Sequence, residues 1–278
     1  ERYTMKTAEI LRAAVWAHQE GYGSIVLQSG ERNDPAFTER ITDLLLKIQG
    51  RCSGGLGITL SLGEQSAQTY ARWFGAGASR YLLRIETSSP ELYRKYHPED
   101  QEFDRRLACL RDLRDAGYQV GTGVMAGLPG QTCLDLARDI LFFRDMDIDM
   151  IGMGPYIKHD STPLAAKASE YSPENNAVLG INMIACTRLL LRDVNIAATT
   201  ALQALDPRGR EKGLLAGANV IMPNITDTRY RDRYLLYEGK PCTGDTAAEC
   251  KACLEARIRG IGEEIVYRER GEIGRAHV

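Results

Sequence analysis

At 278 residues, with 44% hydrophobic and 26% charged residues and a formal net charge of −2, the chain is long enough to bury a sizeable core. The near-neutral balance and the lack of a polybasic block argue against nucleic acid as a partner, and no apolar run reads as a membrane span or signal peptide. Seven cysteines scattered among apolar segments argue against a disulfide framework and for a reducing, cytoplasmic setting, where cysteine is core filler or metal ligand.

The chain opens on a predicted helix over 5–20, with Thr4 as its cap. Apolar, β-branched runs then predict strands over 24–29, 57–62, 80–86, 119–126, 150–154, 195–199 and 219–222. Amphipathic helices over 35–49, 65–75, 103–116, 133–146, 173–191 and 208–215 fall between them, with lengths that suit right-handed crossovers in a wholly parallel sheet. A doubly wound open sheet satisfies the same rhythm. Polar residues at the C-terminal end of nearly every strand favour instead an α/β fold of the (β/α)8 TIM type lacking its first strand, which is expected upstream of Glu1. The expected organisation is a barrel over 1–225 and an extension packed on it over 226–271. Residues 272–278, Glu-Ile-Gly-Arg-Ala-His-Val, match the translation of a common sequencing adapter and are expected to be non-native, so Arg275 and His277 drop out of any site.

The segment 121–132 is the richest in chemistry, a buried strand running into a glycine turn. Pro129-Gly130 shapes the turn and Thr132 caps the helix after it. The other residues expected at the barrel mouth are Gln28, Ser29, Gly30 and Glu31, then Thr59 and Ser61 with Glu64, Arg84 and Glu86, Tyr156 to His159, Thr199 and Thr200, and Pro223-Asn224. Arg84 and Glu86 share one face of their strand, and the cost of burying charge under helices places them at the mouth. Arg106, at the start of a helix, reads either as a partner for a ligand carboxylate or as a solvated helix charge. Lys158 and His159 are the lysine and histidine near the mouth. Tyr230, Tyr234 and Tyr237, at helical spacing, read as a packed aromatic face or as a lid.

Cysteine falls into two groups. Cys52, Cys109, Cys133 and Cys186 read as buried structural residues. Cys242, Cys250 and Cys253 form a C-x7-C-x2-C arrangement, close enough for a short loop to fold them around zinc or an iron–sulfur cluster, the alternative being incidental thiols on a surface loop.

Taken together, the segments 26–31, 59–64, 80–87, 121–132, 197–200 and 217–224 resemble the radical S-adenosylmethionine family, and within it the branch of [FeFe]-hydrogenase maturases. That resemblance implies a (β/α)8 barrel that binds S-adenosylmethionine and a [4Fe–4S] cluster and generates a 5′-deoxyadenosyl radical. It implies that Gln28, Ser29, Gly30 and Glu31 hold the cofactor's amino group, Glu86 its ribose and amino end, and Arg106 its carboxylate. The adenosyl group lies along Gly123, Met125 and Gly127. Thr59, Ser61, Arg84, Thr199, Thr200, Met222 and Tyr237 are implied to line the cavity of a small-molecule or organometallic iron–cysteine substrate. Cys242, Cys250 and Cys253 match an accessory [2Fe–2S] or [4Fe–4S] triad present in some members, and an electron donor and other maturation proteins are implied partners. The family's defining C-x3-C-x2-C loop does not occur in these 278 residues and is expected upstream, so this polypeptide alone is expected to be inactive. Methylornithine-synthase-like and biotin-synthase-like radical enzymes, a non-catalytic iron–sulfur scaffold and a metal-free lyase are the rival readings.

Overall fold

The computed structural model describes residues 3–167, 171–231, 233, 237, 239–242 and 244–271; Tyr234 and the 272–278 tail lie outside them. In chain order the elements begin α1 (Thr7–Gln19), β1 (Ser24–Gln28), α2 (Pro35–Arg51), β2 (Gly57–Ser61), α3 (Ala67–Gly75) and β3 (Arg80–Leu82). They continue α4 (Pro90–Tyr96), α5 (Phe103–Asp115), β4 (Gln119–Thr122), β5 (Met125–Ala126), α6 (Cys133–Asp145), β6 (Met150–Ile151) and β7 (Gly154–Pro155). The last are α7 (Pro173–Leu190), β8 (Asn195–Ile196), α8 (Thr200–Leu205), α9 (Gly209–Leu215), α10 (Thr228–Arg231) and α11 (Ala247–Arg259).

Helix starts follow side-chain chemistry. Asp34 accepts from Phe37 N at 3.0 Å ahead of Pro35, Ser66 accepts from Thr69 N at 3.1 Å, and Thr132 accepts from Asp135 N at 3.2 Å. At α1 the expected Thr4 cap gives way to Lys6, whose N–H donates to Glu9 Oε2 at 2.8 Å, because the glutamate one turn on satisfies that end.

Two compact units divide the chain. The first comprises Thr4–Ile85, Pro98–Thr122 and the segment from Val266. Its strands β1, β2, β3 and β4 pair parallel in that order, with Val26 opposite Thr59, Thr59 opposite Arg80 and Tyr81 opposite Val120. Ile58, Leu60 and Val120 from the strands and Leu44, Leu45, Ile48 and Trp73 from the helices are all buried. The stretch after α11 returns to this unit, where Arg268 N donates to Gly21 O at 2.7 Å and Tyr267 packs edge-on to Tyr22. The second unit comprises Glu86–His97 and Gly123–Ile265 with Tyr3. There β5 pairs parallel with β7 and β6 with β8, and α11 is tied to α9 by Arg257, which donates to Glu211 at 2.9 and 2.7 Å.

Several expectations need correction. The strand predicted over 80–86 ends at Leu82, because the Thr122 hydroxyl takes the Ile85 N–H at 3.1 Å and donates to Leu83 O at 2.8 Å, interrupting the ladder. Glu86 then turns left-handed at φ 62°, so Arg84 and Glu86 do not share one face of a continuous strand. The strand predicted over 119–126 divides into β4 and β5, 150–154 into β6 and β7, 195–199 shortens to β8, and 219–222 retains a single bridge from Val220 to Ala197. Cys52 and Cys109 are buried, but Cys133 and Cys186 are exposed on the outer faces of α6 and α7. Tyr230 and Tyr237 make no common aromatic face: Tyr230 stacks on Tyr3 at 4.9 Å, while Tyr237 donates to the Thr200 hydroxyl. No helix among the described residues is long and apolar enough to cross a membrane.

Candidate functional site

In the first unit, Glu31, Glu64 and Arg84 follow the C-terminal ends of the adjacent strands β1, β2 and β3, the end where parallel sheets place ligands. Arg106, buried on α5, reaches all three segments. Its Nε donates to Glu64 Oε1 at 2.7 Å, its Nη1 to Arg84 O at 2.9 Å and its Nη2 to Glu31 Oε1 at 3.0 Å. Arg105 donates to the other Glu64 oxygen at 2.8 Å. The turn that carries Glu64 is fixed from below by tyrosines: Tyr81 donates to Gly63 O at 2.8 Å, and Gln65 N donates to the Tyr70 hydroxyl at 2.9 Å. Gly63, at φ 78°, is obligatory here, since a Cβ on it would lie 2.2 Å from Glu31 Cγ. Gln28, Ser29, Gly30 and Glu31 form an exposed turn, and around Gly30 nothing lies within 4 Å of a Cβ position. Sequence reading placed Glu64 at the mouth without a role; the fold makes it the partner of Arg105 and Arg106.

In the second unit, Glu86 is pinned by its backbone to the glycine segment. Its N–H donates to Gly123 O at 2.9 Å and its carbonyl accepts from Met125 N at 3.0 Å, which brings Glu86, Gly123 and Met125 together. The left-handed backbone of Glu86 is a strained conformation held by its surroundings, as functional residues often are. Asp139, fully buried on α6, accepts from Ser88 N at 2.6 Å and so anchors the loop after Glu86. Its second oxygen has no partner, and burial pushes the carboxyl up to about 6. The Gly127 turn is filled from inside the protein. Asn176 Nδ2 donates to Gly127 O at 3.3 Å and to Tyr156 O at 2.9 Å, while Gln131 Oε1 accepts from Gly127 N at 2.8 Å and Leu128 N at 3.2 Å.

The remaining cavity candidates belong to both units, Thr59, Ser61 and Arg84 to the first and Thr199, Thr200, Met222 and Tyr237 to the second. Thr59 is buried, Ser61 and Arg84 are half-buried, and Met222 is exposed. Thr199 has a buried hydroxyl without a partner, Thr200 begins α8, and burial pushes the Tyr237 phenol up. Lys158 pairs with Asp160 at 3.3 Å, and His159 Nδ1 meets Ser161 N at 3.2 Å, so both are engaged in their own loop.

The cysteine triad lies partly on a helix, where a short loop was expected. A capping box of Thr246 and Glu249 starts α11, which carries Cys250 buried and Cys253 exposed. Cys242 sits ahead of it in a left-handed conformation at φ 60°, and its carbonyl accepts from Arg231 Nη1 at 2.8 Å. Burial first, then the neighbouring Cys250, pushes the Cys242 thiol up to about 11. Among the described residues no three His, Cys, Asp or Glu side chains stand assembled as metal ligands. Beside these thiols is Arg210 of α9, 3% exposed, whose Nε and Nη1 have no hydrogen-bond partner.

The profile of the Radical SAM superfamily matches residues 1–143. The chain belongs to that superfamily. It is 45% identical over 265 residues to the [FeFe] hydrogenase maturase subunit HydE of Thermotoga maritima, a match covering 95% of this chain and 73% of the relative. It is 28% identical to the 3-methylornithine synthase of Methanosarcina barkeri, covering 79% of this chain and 60% of that protein. Among solved structures it superposes on methylornithine synthase with a TM-score of 0.77 at 23% identity, covering 96% of this chain and 76% of the other. It superposes on HydG, a maturase of the [FeFe]-hydrogenase, with a TM-score of 0.71 at 16% identity, covering 94% of this chain and 57% of that one. The fold is therefore the α/β parallel barrel type of radical SAM enzymes, whose chemistry uses S-adenosylmethionine and a [4Fe–4S] cluster.

Proposed function

We propose that the chain is the S-adenosylmethionine-binding barrel, residues 1–225, and C-terminal extension, residues 226–271, of a HydE-like radical enzyme that serves assembly of the [FeFe]-hydrogenase di-iron cluster. The identity of 45% across 95% of the chain carries the reading. S-Adenosylmethionine, once bound and reduced, supplies a 5′-deoxyadenosyl radical. The residues present fit the nucleoside and amino-acid parts of that cofactor. The open turn of Gln28, Ser29, Gly30 and Glu31 offers carbonyls and a carboxylate to an ammonium group, and Glu86 with Gly123, Met125 and Gly127 offers the bed for the adenosyl part. Arg106 has a double task. Its nitrogens already serve Glu64, Arg84 and Glu31, so it orients Glu31 toward the ammonium, and a ligand carboxylate would share or displace the Glu31 contact at Nη2.

The residues do not fit the [4Fe–4S] cluster of the family, because no C-x3-C-x2-C loop occurs in these 278 residues. Its thiolates belong outside them. Cys242, Cys250 and Cys253 supply the donor chemistry of an accessory [2Fe–2S] or [4Fe–4S] centre, although their side chains do not stand assembled as ligands. Thr59, Ser61, Arg84, Thr199, Thr200, Met222 and Tyr237 are proposed to face the substrate, of small-molecule or organometallic iron–cysteine type. An electron donor and other maturation proteins are the proposed partners.

The test is made on the complete gene product. It is expected to contain a C-x3-C-x2-C loop and, after anaerobic reconstitution and reduction, to release 5′-deoxyadenosine from S-adenosylmethionine. A complete protein that has no such loop, or that is reconstituted and releases none, overturns the reading.

A further inference from the structure

Asp139 stands where the sequence pattern asks for an apolar residue. Leu136, Asp139, Ile140 and Phe143, at i, i+3, i+4 and i+7, form the buried stripe of α6, and Asp139 itself is 0% exposed. Leucine or alanine would pack α6 as well, and a buried carboxyl with one bare oxygen is costly, so what the residue contributes is the one bond it makes. That bond runs to Ser88 N at 2.6 Å.

Ser88 lies two residues past Glu86, on a segment tied down along its length. At its start the Glu86 N–H donates to Gly123 O at 2.9 Å and the Glu86 carbonyl accepts from Met125 N at 3.0 Å. The hydroxyl of Thr87, which is fully buried, accepts from Ser89 N at 3.2 Å, and Ser89 caps α4 by accepting from Leu92 N at 3.4 Å. At the end of α4, Tyr96 donates to Pro129 O. Glu86 is left-handed at φ 62°, a conformation that a residue with a Cβ avoids unless its neighbours impose it. The Asp139 bond fixes the chain just past that turn, and it does so from a packed helix. The same helix reaches the other side of the bed: next to its Thr132 cap, Gln131 accepts from Gly127 N at 2.8 Å and donates to Met125 O at 3.0 Å.

We infer that Asp139 is a positioning residue for S-adenosylmethionine: through Ser88 N it sets the turn that holds Glu86 beside Gly123 and Met125, so that α6 carries the Glu86 loop and the Gly127 turn in one frame. This rests on the proposed place of Glu86 at the cofactor. Asp139 touches no ligand in this role and acts through Glu86 alone.

The experiment measures S-adenosylmethionine binding by isothermal titration calorimetry to the complete gene product, reconstituted anaerobically and left unreduced, and the stability of each variant by urea denaturation. Asp139→Ala, which removes the acceptor, is expected to bind about tenfold more weakly, and Asp139→Asn, which keeps an acceptor oxygen, to stay within about twofold of wild type. If Asp139→Ala does not fold, Asp139→Leu takes its place, since it suits the apolar stripe and still removes the acceptor. In a Glu86→Gln background, itself weakened, the Asp139→Ala change is expected to add nothing, because the residue it positions is gone. Phe143→Leu, on the same stripe, is expected to lower stability and leave affinity unchanged. Glu86→Gln weakened but Asp139→Ala unaltered in affinity overturns the role of Asp139 and leaves Glu86 at the cofactor. An equal loss from Asp139→Ala in both backgrounds, or a loss from Phe143→Leu as large as that from Asp139→Ala, also overturns it, and so does Asp139→Asn as weak as Asp139→Ala. Glu86→Gln with wild-type affinity overturns both the inference and the placing of Glu86.

Discussion

Arg106 and Arg210 are both buried guanidinium groups, yet one has a partner on Nε and both terminal nitrogens and the other has two nitrogens facing none. Arg106 is completed within the fold, by carboxylates and a carbonyl from three strand ends, so its network is finished before any ligand arrives. Arg210 is completed by nothing that the described protein offers. The difference separates a charge that the fold completes from one that the described residues leave open. Asp139 falls between them, with one oxygen taken by Ser88 N and the other free.

Removal exposes the contrast most sharply. Arg106→Met leaves Glu64, 9% exposed on its side chain, with only the exposed Arg105 as a charged partner, and is expected to cost about 3 kcal/mol in urea denaturation. A loss below 1 kcal/mol would make the network a surface pair in energetic terms. Asp139 should show its half-satisfied state as pH dependence. Its carboxyl is raised from 3.8 to about 6, so between those values the folded chain holds more protons than the unfolded one. Stability therefore falls as pH rises through that window, by about 2–3 kcal/mol, and stays at the lower level above it. Asp139→Asn should flatten this slope in denaturation curves taken across the window, and an unaltered slope would assign it to other groups. Gly63→Ala, which drives a Cβ into Glu31 and forces a left-handed alanine, should cost about 1–2 kcal/mol and weaken S-adenosylmethionine binding in calorimetry. Arg210→Met in the metal-free chain carries the smallest expected change, neutral or a gain of about 1 kcal/mol, because it deletes an unpaired buried charge. A large destabilisation there would place Arg210 beside Arg106 as a structural residue.

The parallel α/β rhythm was legible because its signals are local. Asp34-Pro35, Ser172-Pro173 and Thr132 mark helix starts within the chain, and the predicted ends of α2, α5, α6 and α7 lie within two residues of those observed. Strand ends were not legible, since the Thr122 hydroxyl interrupts a ladder only when β3 and β4 are already side by side. The Arg106 network hid for the same reason: Glu31, Glu64 and Arg106 meet only after three strands and a helix have packed. Helix α11 could have been found. Thr246 and Glu249 form the T-x-x-E signature of a capping box, a local signal set between the first and second cysteines of the triad. The exposure of Cys133 and Cys186 was not legible from residue type alone, because it depends on which face of the packed helix each occupies.

The glycine turn after β5 has a consequence for selectivity. Proteins that grip adenosine phosphates do so with free backbone N–H groups at turns of this kind. Here the N–H groups of Gly127 and Leu128 are spent on the Gln131 side chain, and Asn176 occupies the space that a Cβ on Gly127 would enter. Those two N–H groups are therefore not offered to the phosphates of a nucleotide. On the proposed assignment of this turn to the adenosyl group, a sulfonium nucleoside, which has no phosphate, loses nothing by their being spent inside the protein.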